Sequence, residues 1–188
     1  MRMKEAIRLS LAEKGEPVIT EYAFFLLLRQ LYSAGTFRGE HISTKVKHPG
    51  QNEFEYYLKV LLRDRYLRHD DDFSGSAYRV SDVPDGSAEE ITALVDPFCY
   101  ISHLSAMQRY GLTTRIPDAL TLTTIYNWRQ AAIRKEQQDY GLFPEAEEFR
   151  VPLRRVTFPE KVRKRLVALH TSKREPLIKP IKGSAARI

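Results

Sequence analysis

Residues 54–63 carry the clearest apolar rhythm of the chain. Phe54, Tyr57, Leu58, Leu61 and Leu62 recur at i, i+3, i+4, i+7 and i+8, with Tyr56, Lys59 and Arg63 between them. That spacing places the first set on one stripe of a helix and turns the second toward solvent. Asn52 stands at the position of a cap. Upstream, Met3, Ile7, Ser10 and Leu11 share one face of a helix over about Lys4–Glu13, stopped by Gly15. Val18-Ile19 reads as a short extended piece. Thr20 then caps a helix from Glu21 to about Ser33, apolar almost all round through Tyr22, Phe24, Phe25, Leu26, Leu27, Leu28 and Leu31. A helix of that kind belongs in a core or against another element. Downstream, Tyr66–His69 and Tyr78–Val80 flank the turn-rich Asp70–Ser76 and read as a hairpin.

Helix, short strand, helix, helix, hairpin over residues 1–80 is the order of a winged helix-turn-helix. In that fold the third helix enters the major groove of DNA, and its wet face meets base edges and phosphates. The expected contacts are Tyr56, Lys59 and Arg63, with Gln51 and Asn52 near the helix start. Lys45, Lys47 and His48 lie just before it, placed to hold phosphates, and Arg38 is a weaker candidate for the same role. Two features oppose this. Glu53 and Glu55 sit at the helix start, and Asp70-Asp71-Asp72 occupies the hairpin tip. Three carboxylates on a DNA backbone repel it, so the wing either points away from the duplex or serves a protein contact.

Ser81 to Ala88 is turn-rich and lacks periodicity, which puts a linker over residues 81–96, with Glu89–Leu94 a short helical turn. A second, mixed α/β domain over 97–188 completes an α+β fold class. Within it, Ser102 is placed to cap a short helix whose Leu104, Met107 and Tyr110 form a buried stripe. Gly111 supplies a left-handed end, and Pro117 prevents resumption. Leu120–Thr124 alternates as a strand. Asn127–Tyr140 reads as a helix with thin apolar content (Trp128, Ala131, Ala132), and Phe149–Phe158 as a strand. Pro159 then opens a final helix to about His170. Val162, Leu166 and Leu169 make its inner stripe, and Lys161, Arg163, Lys164 and Arg165 its cationic outer surface.

The chain of 188 residues, 43% hydrophobic and 11% aromatic, has enough apolar content for packed cores. Its one cysteine, Cys99, forms no internal disulfide. No signal region follows the amino-terminal charges, and the longest apolar run, Tyr22–Leu28, is too short to span a bilayer. A cytoplasmic protein without a membrane partner is the expectation. Net charge is +6 and unevenly spread. Residues 149–188 hold 12 Lys and Arg against two Glu, and the remainder 18 Lys and Arg against 22 Asp and Glu. A basic block built on Arg150, Arg154, Arg155, Lys161, Arg163, Lys164 and Arg165 attracts polyanions or an acidic partner face, or is a solvated tail.

Catalytic signals are thin. Cys99 and His103 lie four apart, one helical turn, yet Cys99 precedes the cap and reads as a small apolar residue. Asp70-Asp71-Asp72 lacks the spacing of a calcium loop. Pro117-Asp118 opens a nuclease-type motif that no Asp/Glu-x-Lys completes. Neither a phosphate-binding glycine loop nor a zinc cysteine set is present. No enzyme activity, metal or cofactor is expected.

The words Tyr100, Ser102-His103-Leu104-Ser105-Ala106, Gly111-Leu112-Thr113 and Ile116-Pro117 resemble the signature of the AbiEi family of bacterial antitoxins. The resemblance covers the carboxy-terminal half by sequence and the amino-terminal half by architecture alone. It implies a winged helix that represses its own operon by binding double-stranded operator DNA, as a homodimer where the site is palindromic. It also implies a second domain, marked by Ser102, His103, Ser105, Gly111 and Thr113, that counteracts a nucleotidyltransferase-like toxin in a type IV system, without a stable toxin complex being required. Relatives continue past the point where this chain ends, so a truncated or short member is expected. Two other classes stay open: a protein-interaction adaptor that binds no DNA, and an RNA-binding module using the basic block.

Overall fold

We describe the protein from a computed structural model, over residues 1–44, 46, 49–128, 130–134 and 156–173. Lys45, Lys47, His48, Arg150, Arg154 and Arg155 lie outside the described residues, as do the end of the predicted 127–140 helix and most of the predicted 149–158 strand.

The first half follows its apolar periods closely. Helix α1 spans Met3–Lys14 and buries Met3, Ala6, Ile7, Ser10 and Leu11; Gly15 closes it at φ 63°, returning its N–H to Leu11 and Ala12. Strand β1 is Val18–Thr20. The Thr20 hydroxyl accepts from the Ala23 amide at 3.1 Å and opens α2, Glu21–Ala34. The basic stretch that follows contains a small hairpin, β2 (Thr36–Phe37) with β3 (Glu40–His41). Its two turn residues, Arg38 and Gly39, have φ 50° and 80°. Helix α3 spans Gln51–Arg63, and β4 (Leu67–His69) and β5 (Ala77–Val80) form the expected antiparallel pair. β1 joins the other edge of β5, so the sheet runs β1-β5-β4. Its core is α1, α2 and α3 against this sheet, with Phe24, Ile7, Leu28, Ile42, Leu61 and Leu67 fully enclosed.

Helix α4, Ala88–Val95, occupies the predicted linker and packs on β1 and on β8. It is capped by Ser87, whose hydroxyl accepts from the Glu90 amide at 3.2 Å. The second half is a four-stranded sheet in the order β6-β7-β9-β8, from β6 (Tyr100–Ile101), β7 (Ala119–Ile125), β8 (Lys161–Val162) and β9 (Arg165–Ser172). β7 and β9 run parallel over seven residue pairs, from Ala119↔Leu166 to Ile125↔Ser172. A second core gathers Ile91, Val95, Leu120, Leu122 and Val162 with Val18, Phe73 and Ala77 of the first half. Asp96, fully buried at its edge, accepts from Thr124 Oγ1 (2.9 Å), Trp128 Nε1 (2.9 Å) and the Phe98 amide (3.0 Å). A buried carboxylate is tolerated when donors surround it in this way. The whole is mixed α/β, and among the described residues no helix is long and apolar enough to cross a membrane.

Four expectations are corrected. The predicted helix over Pro159–His170 is a hairpin, β8–β9, turning through Arg163 and Lys164 at φ 47° and 66°. Val162, Leu166 and Leu169 satisfy a helical period by coincidence, and pairing with β7 decides the conformation. Residues 156–158, assigned to a strand, are irregular. Asn52 is inside α3, which starts one residue earlier: Gly50 is the cap, and its N–H donates to the Glu53 carboxylate at 2.8 Å. In α5, His103–Arg109, Met107 and Tyr110 are exposed, and the one buried residue is Ser105. The face toward β7 carries hydroxyls there, so polar complementarity positions this helix.

Candidate nucleic-acid interface

α3 turns two unlike faces outward and inward. Phe54, Leu58, Val60 and Leu61 are buried. Gln51, Asn52, Glu55, Tyr56, Lys59 and Arg63 are exposed, and their spacing makes one continuous flank. Tyr56 is 61% exposed and leans edge-on against Tyr57, with ring centroids 5.1 Å apart. Gln51 donates to Glu55 at 2.8 Å, and Glu53 is occupied by the Gly50 amide, so both glutamates have local donors. Arg63, its side chain 74% exposed, donates to Asp64 at 3.3 Å. Lys4 reaches the other oxygen of Asp64 at 2.9 Å. Those hydrogen bonds, Lys4's first, hold the Asp64 carboxyl below the usual carboxylate range. Arg38, by contrast, is turned back to Glu13, its Nε donating at 2.6 Å.

Arg65 and Arg68, both exposed, continue the cations beyond the end of α3, and the sequence reading passed them over. Arg68 was legible, because alternation along Leu67-Arg68-His69 sends it outward. Arg65 was not, because its φ of 57° is a conformation that Gly or Asn usually marks.

The basic block behaves differently. Lys161 and Lys164 are exposed. Arg165 is paired with Glu89, and Arg163 is held by Asp70, Asp72 and Asp85. The expected cationic outer surface is therefore half consumed within the molecule. The same contacts settle the acidic hairpin tip, which is an internal docking loop: Asp70 is 1% exposed.

Of the signature residues, Ser102 and Ser105 are brought together against β7, and Gly111 and Thr113 lie in the turn beyond α5. β6 pairs only with Leu122 and Thr123, which leaves the edge of β7 at 119–121 without a strand. Ser102 and Ser105 fill it. The Ser102 amide donates to the Thr121 carbonyl at 2.9 Å. The Ser105 hydroxyl donates to the Ala119 carbonyl (3.2 Å) and accepts from the Thr121 amide (2.9 Å). Ser102 holds the N-cap position of α5 but its hydroxyl caps nothing; it accepts from Thr123 Oγ1 at 2.8 Å and lies 2.9 Å from His103 Nδ1. His103 adopts φ 52°, and its ring stands 5.1 Å from that of His170. Gly111 ends α5 at φ 69° as expected, and Thr113 Oγ1 accepts from the Arg115 amide. Strand β6 separates Cys99 from His103, so no helical turn joins them. Among the described residues no group of three or more His, Cys, Asp or Glu is arranged to hold a metal.

No protein-family model matches this chain, and no curated protein matches it.

Proposed function

We propose that this protein is a DNA-binding regulator whose amino-terminal module is a winged helix-turn-helix with α3 as recognition helix. The observation that carries the reading is the solvent-facing flank of α3, Gln51, Asn52, Tyr56, Lys59 and Arg63, beside a three-stranded antiparallel sheet in the order β1-β5-β4. A helix of this exposure can enter a major groove without rearrangement of its own module, and Arg63, Arg65 and Arg68 continue cations toward the flanking backbone. Together with the signature around Ser102–Pro117, this supports an autorepressor of the AbiEi kind. Its second domain counteracts a nucleotidyltransferase-like toxin, and where the operator is palindromic two copies act on it. The reading includes no catalysis.

The test is a mobility shift with duplex DNA from immediately upstream of the coding sequence against a random duplex of equal length, across salt. Lys59→Ala with Arg63→Ala abolishes the preference for the upstream duplex. An unchanged shift overturns the assignment of α3.

A protein-docking role stands as second reading on one observation. Tyr110, Leu112 and Ile116 are 76%, 71% and 78% exposed, more than an isolated domain needs to leave bare. Loss of toxin neutralisation in Leu112→Asp, with the DNA shift intact, favours it. The RNA-binding alternative is weakened by the internal pairing of Arg163 and Arg165.

A further inference from the structure

Asp70, Asp71 and Asp72 are an obstacle for a hairpin that stands beside a DNA-reading helix, because carboxylates near a phosphate backbone are repelled. Asp71 stays exposed, but the molecule holds Asp70 and Asp72 internally. Asp70 Oδ1 accepts from the amides of Asp72 (3.0 Å) and Phe73 (3.2 Å), which curls the loop around a carboxylate that solvent does not reach. Into this loop the β8–β9 turn inserts Arg163 from more than ninety residues away.

The contact is dense. Nη2 of Arg163 donates to Asp70 Oδ2 at 2.6 Å, Nη1 to Asp70 Oδ1 at 3.2 Å and also to Asp72. Nε donates to Asp85 at 3.1 Å, and the backbone N–H of Arg163 to Asp72 at 2.9 Å. Arg79, largely buried, donates to Asp85 from the other side. Three carboxylates therefore face two guanidiniums, and the fork on Asp70 is bidentate, the strong geometry for such a pair. The two-residue turn between β8 and β9 takes positive φ at both of its residues, and Arg163 and Lys164 adopt it at about 1–2 kcal/mol each for a non-glycine residue. Nothing in the local sequence asks for that turn. What Arg163 gains from the acidic loop offsets it.

Resting on the DNA-binding reading above, we propose that Arg163 is a positioning residue for DNA recognition: it reaches across from the second half, neutralises and pins the acidic hairpin loop, and so lets α3 approach a duplex, without touching DNA itself. Without it, Asp70 and Asp72 on the hairpin that follows α3 lose their guanidinium, Arg79 being engaged with Asp85, and Asp72 is released to solvent. The repulsion acts over roughly a Debye length, about 8–10 Å at moderate salt, so it is felt most when salt is low.

The test uses four full-length proteins: wild type, Arg163→Ala, Asp70→Asn with Asp72→Asn, and the triple variant. Each is titrated on the upstream duplex and on a random duplex, at a temperature below every unfolding midpoint, with thermal unfolding followed in parallel. Arg163→Ala binds about three- to tenfold more weakly at low salt, and the gap narrows as salt rises. The triple variant returns to within about twofold of wild type although its unfolding midpoint stays low, because the two charges that Arg163 had neutralised are gone. A merely structural role, or a direct phosphate contact by Arg163, leaves the triple variant as weak as Arg163→Ala and overturns the inference. So does wild-type affinity in Arg163→Ala. If wild type binds neither duplex, the DNA-binding reading falls, and this inference with it.

Discussion

α3 and the β8–β9 turn both carry cations, and the molecule uses them in opposite ways. On α3, Lys59 and Arg63 project from a regular helix whose other side is buried, and Arg63 stays 74% exposed even as it reaches Asp64. At the turn, a backbone forced to positive φ swings Arg163 into three carboxylates, and its neighbour Arg165 closes on Glu89. Positive charge counted along a sequence is therefore not the charge offered to a partner. The β2–β3 hairpin repeats the lesson on a smaller scale, with Arg38 at positive φ and paired with Glu13.

The largest expected effect falls on the committed cation. Arg163→Ala leaves Asp70 enclosed without its partner, and truncating one side of such a pair costs about 3–5 kcal/mol; denaturant unfolding reads it. Lys164→Ala, one residue on, is expected within about 0.5 kcal/mol of wild type. Equal losses in the two variants break the comparison. Ser105→Ala comes next, because it strips the Thr121 amide of its acceptor, and the expected loss is about 1–3 kcal/mol in the same assay. Lys164→Gly runs the other way. It relieves a left-handed residue that makes no pair with the acidic loop, raising stability by up to about 1 kcal/mol.

The smallest expected effect is on acid sensitivity. Burial pushes the Asp85 carboxyl up, but hydrogen bonds from Arg79 and Arg163 outweigh it and hold the group below the usual carboxylate range. A group whose folded pKa is depressed contributes stability that is present above its unfolded value, about pH 4, and is lost as pH falls through the folded value. Wild type therefore loses more stability between about pH 5 and about pH 3 than Arg163→Ala does, measured as the shift in denaturant midpoint. Parallel losses contradict that assignment.

Legibility follows the range of the interactions. α1, α2 and α3 were readable because burial of one face repeats every three to four residues within each segment, and Thr20 and Gly15 act on their immediate neighbours. The β4–β5 hairpin was readable from the turn-rich Asp70–Ser76 between two strand-like runs. The 159–170 segment misled because Val162, Leu166 and Leu169 satisfy a helical period, while what holds it extended is non-local: β7, some forty residues upstream, and Asp70, Asp72 and Asp85 further still. The internal role of Asp70 and Asp72 was hidden for the same reason, since their guanidinium partner is distant in sequence. Ser102 and Ser105 were singled out from a resemblance, and their work against the open edge of β7 became visible only with the strand beside them.

The exposed flank of α3 as the DNA interface is the central claim, and the salt dependence of duplex binding tests it most directly. Plots of log affinity against log salt for Lys59→Ala, Arg63→Ala and Lys164→Ala separate the two basic regions. The first two variants are expected to reduce the slope by about one unit each, and Lys164→Ala to leave it within error of wild type. Slopes unchanged by Lys59→Ala and Arg63→Ala but reduced by Lys164→Ala would place the interface on the other basic region and contradict the account.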